Sequence, residues 1–246
     1  MRVVVAGATG RIGSRTVAGL RDHGVEVVSL SRTSGVDLVS GQGLAEALRG
    51  ATVVVDVTDA PSRGQQVSTE FFSTATGNLL GAAGAAGVEH YVALSVVGAD
   101  RVDSGYFRGK ASQEALATRS TIPHSLVRAT PFFESVEAAV TVGTRPDGVL
   151  VPPLTIRPVS TDDVATTVAH VAVGVPLFGV LEVAGPEERG LVDFAADFLT
   201  ATGRTDPVVA DARAPFFGAP LSERSLRPGP DVHVGHHTFA QWLEQP

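Results

Sequence analysis

The sequence predicts an α/β fold built on a doubly wound parallel sheet, and three observations carry that expectation. Short runs rich in valine and leucine recur at residues 3–6, 25–30, 52–57, 90–94 and 124–127, separated by stretches of helical periodicity. The runs are close to continuously apolar, the pattern of strands buried on both faces, whereas a half-exposed strand alternates. Strand alternating with helix then implies a sheet covered by helices on both sides.

The first run leads straight into Gly7-Ala8-Thr9-Gly10-Arg11-Ile12-Gly13. Strand, glycine turn and helix start, in that order, are what a dinucleotide pyrophosphate requires. Gly7 permits the tight turn, Gly10 lets the backbone approach the phosphates with no Cβ in the way, and Gly13 lets the helix pack close to the sheet. The free amides at the helix start, with its positive dipole end, then face the anion. Ile12, Val17 and Leu20 give this helix its apolar face, and Gly24 stands where a C-cap belongs.

The second run ends Ser29-Leu30-Ser31-Arg32. A carboxylate there would bind a ribose 2′-hydroxyl, whereas Arg32 suits a 2′-phosphate in geometry and charge, so NADP is the expected cofactor. The other reading of Arg32 is a solvated loop arginine. Asp37 reads as a turn residue capping the segment before residues 42–49. Thr58, just past the third run, is placed to line the ribose side of the crevice. Residues 70–87 are rich in alanine and glycine with Phe71, Leu79 and Leu80 as bulky anchors, which reads as a helix packed tightly on the sheet.

Ser95 falls at the carboxyl end of the fourth strand, the edge at which open α/β sheets place ligands. Lys110 is the only lysine in the chain, and Tyr106, one of two tyrosines, precedes it by four residues. On a helix, that spacing puts both side chains on one face. A phenol titrates near ~10 and an adjacent ammonium lowers that value, so the pair reads as a proton-transfer device. Gly105 and Gly109 weaken the same helix by about 1 kcal/mol each relative to alanine, which close approach to a ligand or a frayed loop would explain.

Beyond residue 130 the pattern loosens. Pro131, Pro146, Pro152, Pro153, Pro158 and Pro176 punctuate short elements, with helices expected at 161–173 and 191–202 and a strand at 179–183. This part is expected to cover the crevice and supply the substrate pocket without a core of its own. Phe132 and Phe133, together with Phe216 and Phe217 in a loop bounded by Pro215 and Gly218, are candidates for an apolar pocket, core packing being the alternative for each. Asp162 and Asp163 suit a helix N-terminus. His233, His236 and His237 lack a carboxylate or cysteine frame, so no metal site is expected.

Composition excludes several classes. At 246 residues, 43% hydrophobic and 18% charged, the chain suffices for one α/β domain and is not disordered. A formal charge of −7 offers no basic patch to nucleic acid. The absence of cysteine excludes disulfides and thiolate chemistry. With neither a secretory leader pattern nor a run of about 18 apolar residues, a cytoplasmic protein without a membrane span is expected.

The GxxGxxG spacing of residues 7–13, Thr76-Gly77-Asn78-Leu79-Leu80, His90-Tyr91-Val92-Ala93-Leu94-Ser95, Arg128-Ala129-Thr130-Pro131-Phe132-Phe133-Glu134 and Val159-Ser160-Thr161-Asp162-Asp163-Val164-Ala165 together carry a family likeness. The chain resembles the atypical short-chain dehydrogenase/reductase group, in particular its NmrA-like and NAD(P)H-binding quinone-reductase-like members. The resemblance implies one Rossmann-type NAD(P)-binding domain over residues 1–246, with residues 131–246 as a small substrate-covering region. It implies cofactor contacts from Gly7, Thr9, Gly10, Arg11, Ile12, Gly13, Arg32, Thr58, Lys110, Thr130 and Phe132, with Asp37 on the adenine amino group. It also implies a catalytic triad in which Ser95 orients a carbonyl, Tyr106 delivers the proton, and Lys110 lowers the Tyr106 pKa and holds the ribose. One departure is visible: the helix asparagine that many short-chain reductases add to the proton relay is replaced by Phe72 near that place, and Asn78 reads as structural.

The expected function is NADPH-dependent reduction of a carbonyl, quinone or enone of a small apolar substrate, by a monomer or homodimer. Two alternatives stay open: an NADP-sensing binding protein without chemistry, and a non-redox dehydratase or isomerase on the same fold.

Overall fold

Valine-rich segments without a polar face are satisfied only between two layers, and the computed structural model, which describes residues 1–244, provides those layers. The chain runs β1 (Arg2–Ala6), α1 (Arg11–Asp22), β2 (Glu26–Leu30), α2 (Leu44–Ala47), β3 (Val53–Asp56), α3 (Gln65–Ala85), β4 (His90–Val96), α4 (Gly105–Arg119) and β5 (His124–Ala129). There follow α5 (Phe133–Gly143), β6 (Thr144–Arg145), β7 (Gly148–Val151), β8 (Thr155–Ile156), α6 (Thr161–Val173) and β9 (Gly179–Ala184). The last elements are β10 (Arg189–Gly190), α7 (Leu191–Ala201), β11 (Val208–Ala210), β12 (His233–Val234) and α8 (Phe239–Leu243).

The central sheet has the order β12-β9-β5-β4-β3-β1-β2, with every pair parallel. Successive side chains go to opposite layers. Val3, Val5, Val55 and Val92 pack under α1 and α6, while Val4, Ala6, Val54 and Ala93 pack under α2, α3 and α4. From β1 the chain moves outward to β2 and then crosses to β3 on the other side. The carboxyl ends of β1 and β3 therefore flank a topological switch point, where such sheets bind ligands. No helix among the described residues is long and apolar enough to cross a membrane.

One expectation is corrected, that for the glycines of α3. The region beyond residue 131 packs into a third cluster, in which Phe133, Val136, Val140, Phe194, Leu199 and Phe239 are continuous with Phe72 and Phe107 of α3 and α4. Phe239 meets Phe133, Phe194 and Trp242 at ring separations of 5.5, 5.1 and 5.4 Å. Aromatic rings gathered from three short helices supply the apolar area that no single helix reveals in its own periodicity. The glycines of α3, in turn, do not serve close packing, because a Cβ on Gly77, Gly81 or Gly84 meets nothing within 4 Å. The close contact lies on the partner helix, where a Cβ on Gly109 of α4 falls 2.8 Å from the Ser68 carbonyl carbon of α3.

This contrast is testable with two alanine substitutions. Gly81→Ala is expected to stabilise the protein by about 1 kcal/mol through helix propensity alone. Gly109→Ala gains the same propensity but drives backbone against backbone, and a net loss of about 1–2 kcal/mol is expected. Denaturant unfolding midpoints of the two variants should move in opposite directions.

Candidate active site

The glycine loop locks three elements together. Gly7 has φ +82°, and a Cβ there would lie 2.8 Å from the Val57 carbonyl oxygen beyond β3. A Cβ on Gly13 would overlap the Gly7 carbonyl, so α1 reaches this distance from the loop only with glycine in place. Gly10 is the N-cap of α1, offers no side-chain acceptor, and is followed by no acidic residue in the first turn. The amides opening α1 therefore remain available to an anion, and the loop fits a pyrophosphate. Thr9 and Arg11 are exposed at the rim, while Ile12 is buried against the sheet. Arg11 donates to Glu134 Oε1 of α5 at 2.8 Å.

Arg32 and Asp37 lie at the outer end of the crevice. Arg32 is exposed, opens a short 3₁₀ turn capped by Ser31, and has no ionic partner among the described residues. Asp37 accepts the Val39 amide at 2.8 Å, and that hydrogen bond holds its carboxyl below the usual range, with Arg32 adding a smaller attraction. Asn78 donates to the carbonyls of Leu38 and Val39, both at 2.9 Å, which pins this turn to α3. Thr58 donates to Asp56 Oδ1 at 2.6 Å, and Thr130, fully buried, donates to the Arg157 carbonyl at 2.6 Å. Phe132 is partly buried against the α1/α6 layer, whereas Phe133 is 1% exposed within the third cluster.

Tyr106 and Lys110 share one face of α4, but they point to different partners. The Tyr106 hydroxyl donates to Asp59 Oδ1 at 2.7 Å. Arg63 lies with its guanidinium 4.2 Å above the Tyr106 ring and holds Asp59 with two hydrogen bonds of 2.7 and 2.9 Å. Burial raises the Tyr106 pKa well above that of a free phenol, and the Asp59 carboxylate raises it further. The sequence predicts lowering by Lys110; the opposite holds because burial and the Asp59 carboxylate dominate. Lys110 Nζ sits 4.2 Å over the Phe72 ring, 5.9 Å from the Tyr106 ring, and donates to the Leu94 carbonyl and Gln113 Oε1, each at 2.8 Å. Burial lowers the Lys110 pKa to about 8, against the pull of Asp56 and Asp59.

Ser95 is 4% exposed, and its Oγ has no hydrogen-bond partner among the described residues. A buried hydroxyl left unpaired is costly in isolation, and one at the carboxyl end of β4 is placed for a ligand oxygen. The two glycines of α4 turn out to serve contacts within the protein. A Cβ on Gly105 would lie 2.6 Å from the Gly218 carbonyl oxygen, and Gly109 makes the α3 contact described above. Tyr106 N donates to the Phe217 carbonyl at 3.2 Å, so the 216–218 loop sits directly on the start of α4. Phe217 is partly exposed, 6.0 Å from the Tyr106 ring, and Phe216 is buried beside it.

Sequence reasoning misses four functional candidates: Asp56, Asp59, Arg63 and Gln113. Only Asp56 leaves a local signal, as a carboxylate ending the run Val53-Val54-Val55. Of the histidines near the end, His237 serves as an anchor, its Nδ1 2.8 Å from Asp163 Oδ1, and His236 donates its backbone amide to the same carboxylate at 3.0 Å.

The model of a family described as NAD(P)H-binding matches residues 7–173. Comparison with curated proteins gives no significant match. Among solved structures, the NADPH-dependent quinone oxidoreductase QOR2 of Escherichia coli, complexed with NADPH, is similar at 18% identity and a TM-score of 0.69 over 98% of both chains. The UDP-glucose 4-epimerase of Thermus thermophilus with NAD is similar at 21% identity and a TM-score of 0.69 over 92% of both. MoeE5 in complex with UDP-glucose and NAD reaches a TM-score of 0.74 at 19% identity, over 99% of this chain and 98% of that one. At these identities the likeness is one of fold.

The buried ammonium gives a pH dependence with a definite sign. Lys110 binds its proton less tightly in the folded state, at about 8 against 10.5, so between those values the unfolded chain holds more protons and stability rises with pH. The shift corresponds to on the order of 3 kcal/mol. Unfolding free energy is expected to increase from about pH 8 to about pH 10 in the native protein and to lack that increase in Lys110→Met, measured by denaturant titration. Equal slopes in the two proteins would refute the assignment.

Proposed function

The chain belongs to the NAD(P)H-binding family, and from that premise we propose that it is an NADPH-dependent oxidoreductase of the short-chain reductase type, reducing a carbonyl, quinone or enone of a small apolar substrate. One observation carries the reading. The segment after β3 abuts the glycine loop through the Val57 carbonyl, and two residues later Asp59 holds the Tyr106 hydroxyl at 2.7 Å. The carboxylate that holds the phenol thus belongs to the same segment that borders the glycine loop, which supports reading the two as one site. The name of QOR2, with NADPH and a quinone in it, supports the same substrate class.

Gly7, Thr9, Gly10, Arg11, Ile12 and Gly13 would hold the pyrophosphate end of the cofactor, Arg32 its 2′-phosphate, and Asp37, Thr58, Lys110, Thr130 and Phe132 the remainder. When bound, the reduced nicotinamide supplies the two reducing electrons. The unpaired Ser95 Oγ donates to the substrate oxygen and orients it. Tyr106, kept protonated by burial and by Asp59, serves as the acid that delivers its phenolic proton to that oxygen. Arg63 over the ring stabilises the phenolate left behind, and Asp59 favours its prompt reprotonation. Phe217 forms an apolar wall beside the phenol, with Phe216 packed against it at 4.7 Å.

A second reading draws on one observation: Asp59 already occupies the Tyr106 hydroxyl, and the Lys110 ammonium faces away from it. An NADP-sensing binding protein needs the cradle and no proton donor. It predicts tight nucleotide binding with no turnover across a panel of quinones and ketones.

Tyr106→Phe is expected to lower turnover about 10²–10⁴-fold with NADPH binding retained, followed by cofactor oxidation with a quinone panel and by calorimetry. Unchanged turnover would remove the phenol from the chemistry. Arg32→Ala is expected to weaken NADPH on the order of tenfold or more, the scale of one charge-assisted hydrogen bond, with NADH affected far less. Equal losses for the two nucleotides would make Arg32 a bystander.

A further inference from the structure

Asp56 ends an otherwise apolar strand and is 1% exposed. Its Oδ1 accepts the Thr58 amide at 3.1 Å and the Thr58 hydroxyl at 2.6 Å. Its Oδ2 accepts the Tyr91 hydroxyl at 2.7 Å and Gln113 Nε2 at 2.9 Å. Gln113 is fully buried one turn beyond Lys110 on α4, and its Oε1 accepts Lys110 Nζ at 2.8 Å. A carboxamide has one donor end and one acceptor end. With a carboxylate on one side and an ammonium on the other, it has a single satisfied orientation.

We propose that Gln113 and Asp56 are positioning residues for Lys110, the carboxamide linking a buried anion to the ammonium so that the ammonium stays charged and aimed at the Leu94 carbonyl beside Ser95. A direct ion pair would draw Nζ onto Asp56 and away from β4. The interposed amide carries the anion's influence while leaving Nζ on the Leu94 oxygen. An ammonium has three donors; two are spent on Leu94 and Gln113, and the Phe72 face lies against the group at 4.2 Å.

The charged and titratable groups around Lys110 come from several elements. Asp56 belongs to β3, Asp59 and Arg63 to the segment after it, and Tyr106 and Glu114 to α4 itself, while α3 contributes only the Phe72 ring. Asp56, Asp59 and Glu114 favour the ammonium, and burial and Arg63 oppose it. Glu114 is already held by Arg128 through two hydrogen bonds of 2.8 and 2.6 Å, and Asp59 by Arg63. Asp56 is the anion that reaches Lys110 through a single side chain. The functional meaning of this linkage rests on the reading of Lys110 given under Proposed function; its geometry does not.

The chain's single lysine makes the test direct. Protein made with ¹³Cε,¹⁵Nζ-lysine gives one side-chain signal, whose titration midpoint belongs to Lys110. Gln113→Met and Asp56→Asn are each expected to move that midpoint down by about one pH unit, a tenfold change in the proton equilibrium, while Gln66→Met at an exposed site leaves it in place. In the native protein, the Gln113 side-chain amide signal is expected to move with the same midpoint as Lys110. An unchanged Lys110 midpoint in either folded variant overturns the proposal. So does a Gln113 amide that ignores the Lys110 titration, a measurement that needs no variant to fold. Coupled titration without turnover on any substrate would sink the reductase reading and leave this linkage standing; turnover without coupling would do the reverse.

Discussion

A carboxylate buried at the carboxyl end of β3 is the constraint on which the rest of this structure depends. Removing a charge from water costs several kcal/mol unless donors replace the lost hydration, and Asp56 finds four of them. They come from the segment after β3, from β4 and from α4, so these three parts of the fold are not free to shift separately. The Tyr91 phenol is fully buried, and the adjacent anion adds to burial in pushing its pKa up. Because the same segment abuts the glycine loop at Val57, the position of the cradle and the position of α4 follow from one buried charge.

The next carboxylate along, Asp59, acts on a different scale. Its side chain is 53% exposed, so much of its field is screened by water. What it retains is directional: one oxygen on the Tyr106 hydroxyl and both on the Arg63 fork. Burial works against the Asp59 charge, and Arg63 more than offsets this, holding the carboxyl below its usual range. The result is a phenol that keeps its proton and a carboxylate that does not. The protonation of this phenol is thus set by burial and a loop contact, not by the tyrosine–lysine spacing.

That distinction marks what is legible in the sequence. Period and run length are local, and the strands and the helix over Thr161–Val173 come out close to where the pattern puts them. Gly7 and Gly13 are legible because a strand, a turn and a helix are contiguous in the chain. The shared face of Tyr106 and Lys110 is legible for the same reason. Their partners are not: Asp59 is 47 residues from Tyr106 and Asp56 is 57 from Gln113, and nothing in either neighbourhood encodes the meeting. The glycines of α3 mislead in the same way, since smallness records permission to pack closely, and the contact that uses it lies at Gly109 on the other helix.

The late loop shows how far such non-local contacts determine the site. Phe217 adopts φ +53°, a conformation that a bulky residue reaches only at a cost of order 1–3 kcal/mol. Its neighbours account for its persistence: a T-shaped contact with Phe216 at 4.7 Å, another with Phe107 at 5.9 Å, and the Arg63 guanidinium 5.4 Å from the ring. Gly218 fits against the Arg63 carbonyl only because it lacks a Cβ, and Gly105 fits against Gly218 for the same reason. The loop is wedged between the segment that carries Asp59 and the helix that carries Tyr106, so it cannot relax without releasing both. The strain in Phe217 is therefore stored between the Tyr106 phenol and the segment that carries Asp59 and Arg63, and the C-terminal region packs directly on the candidate site.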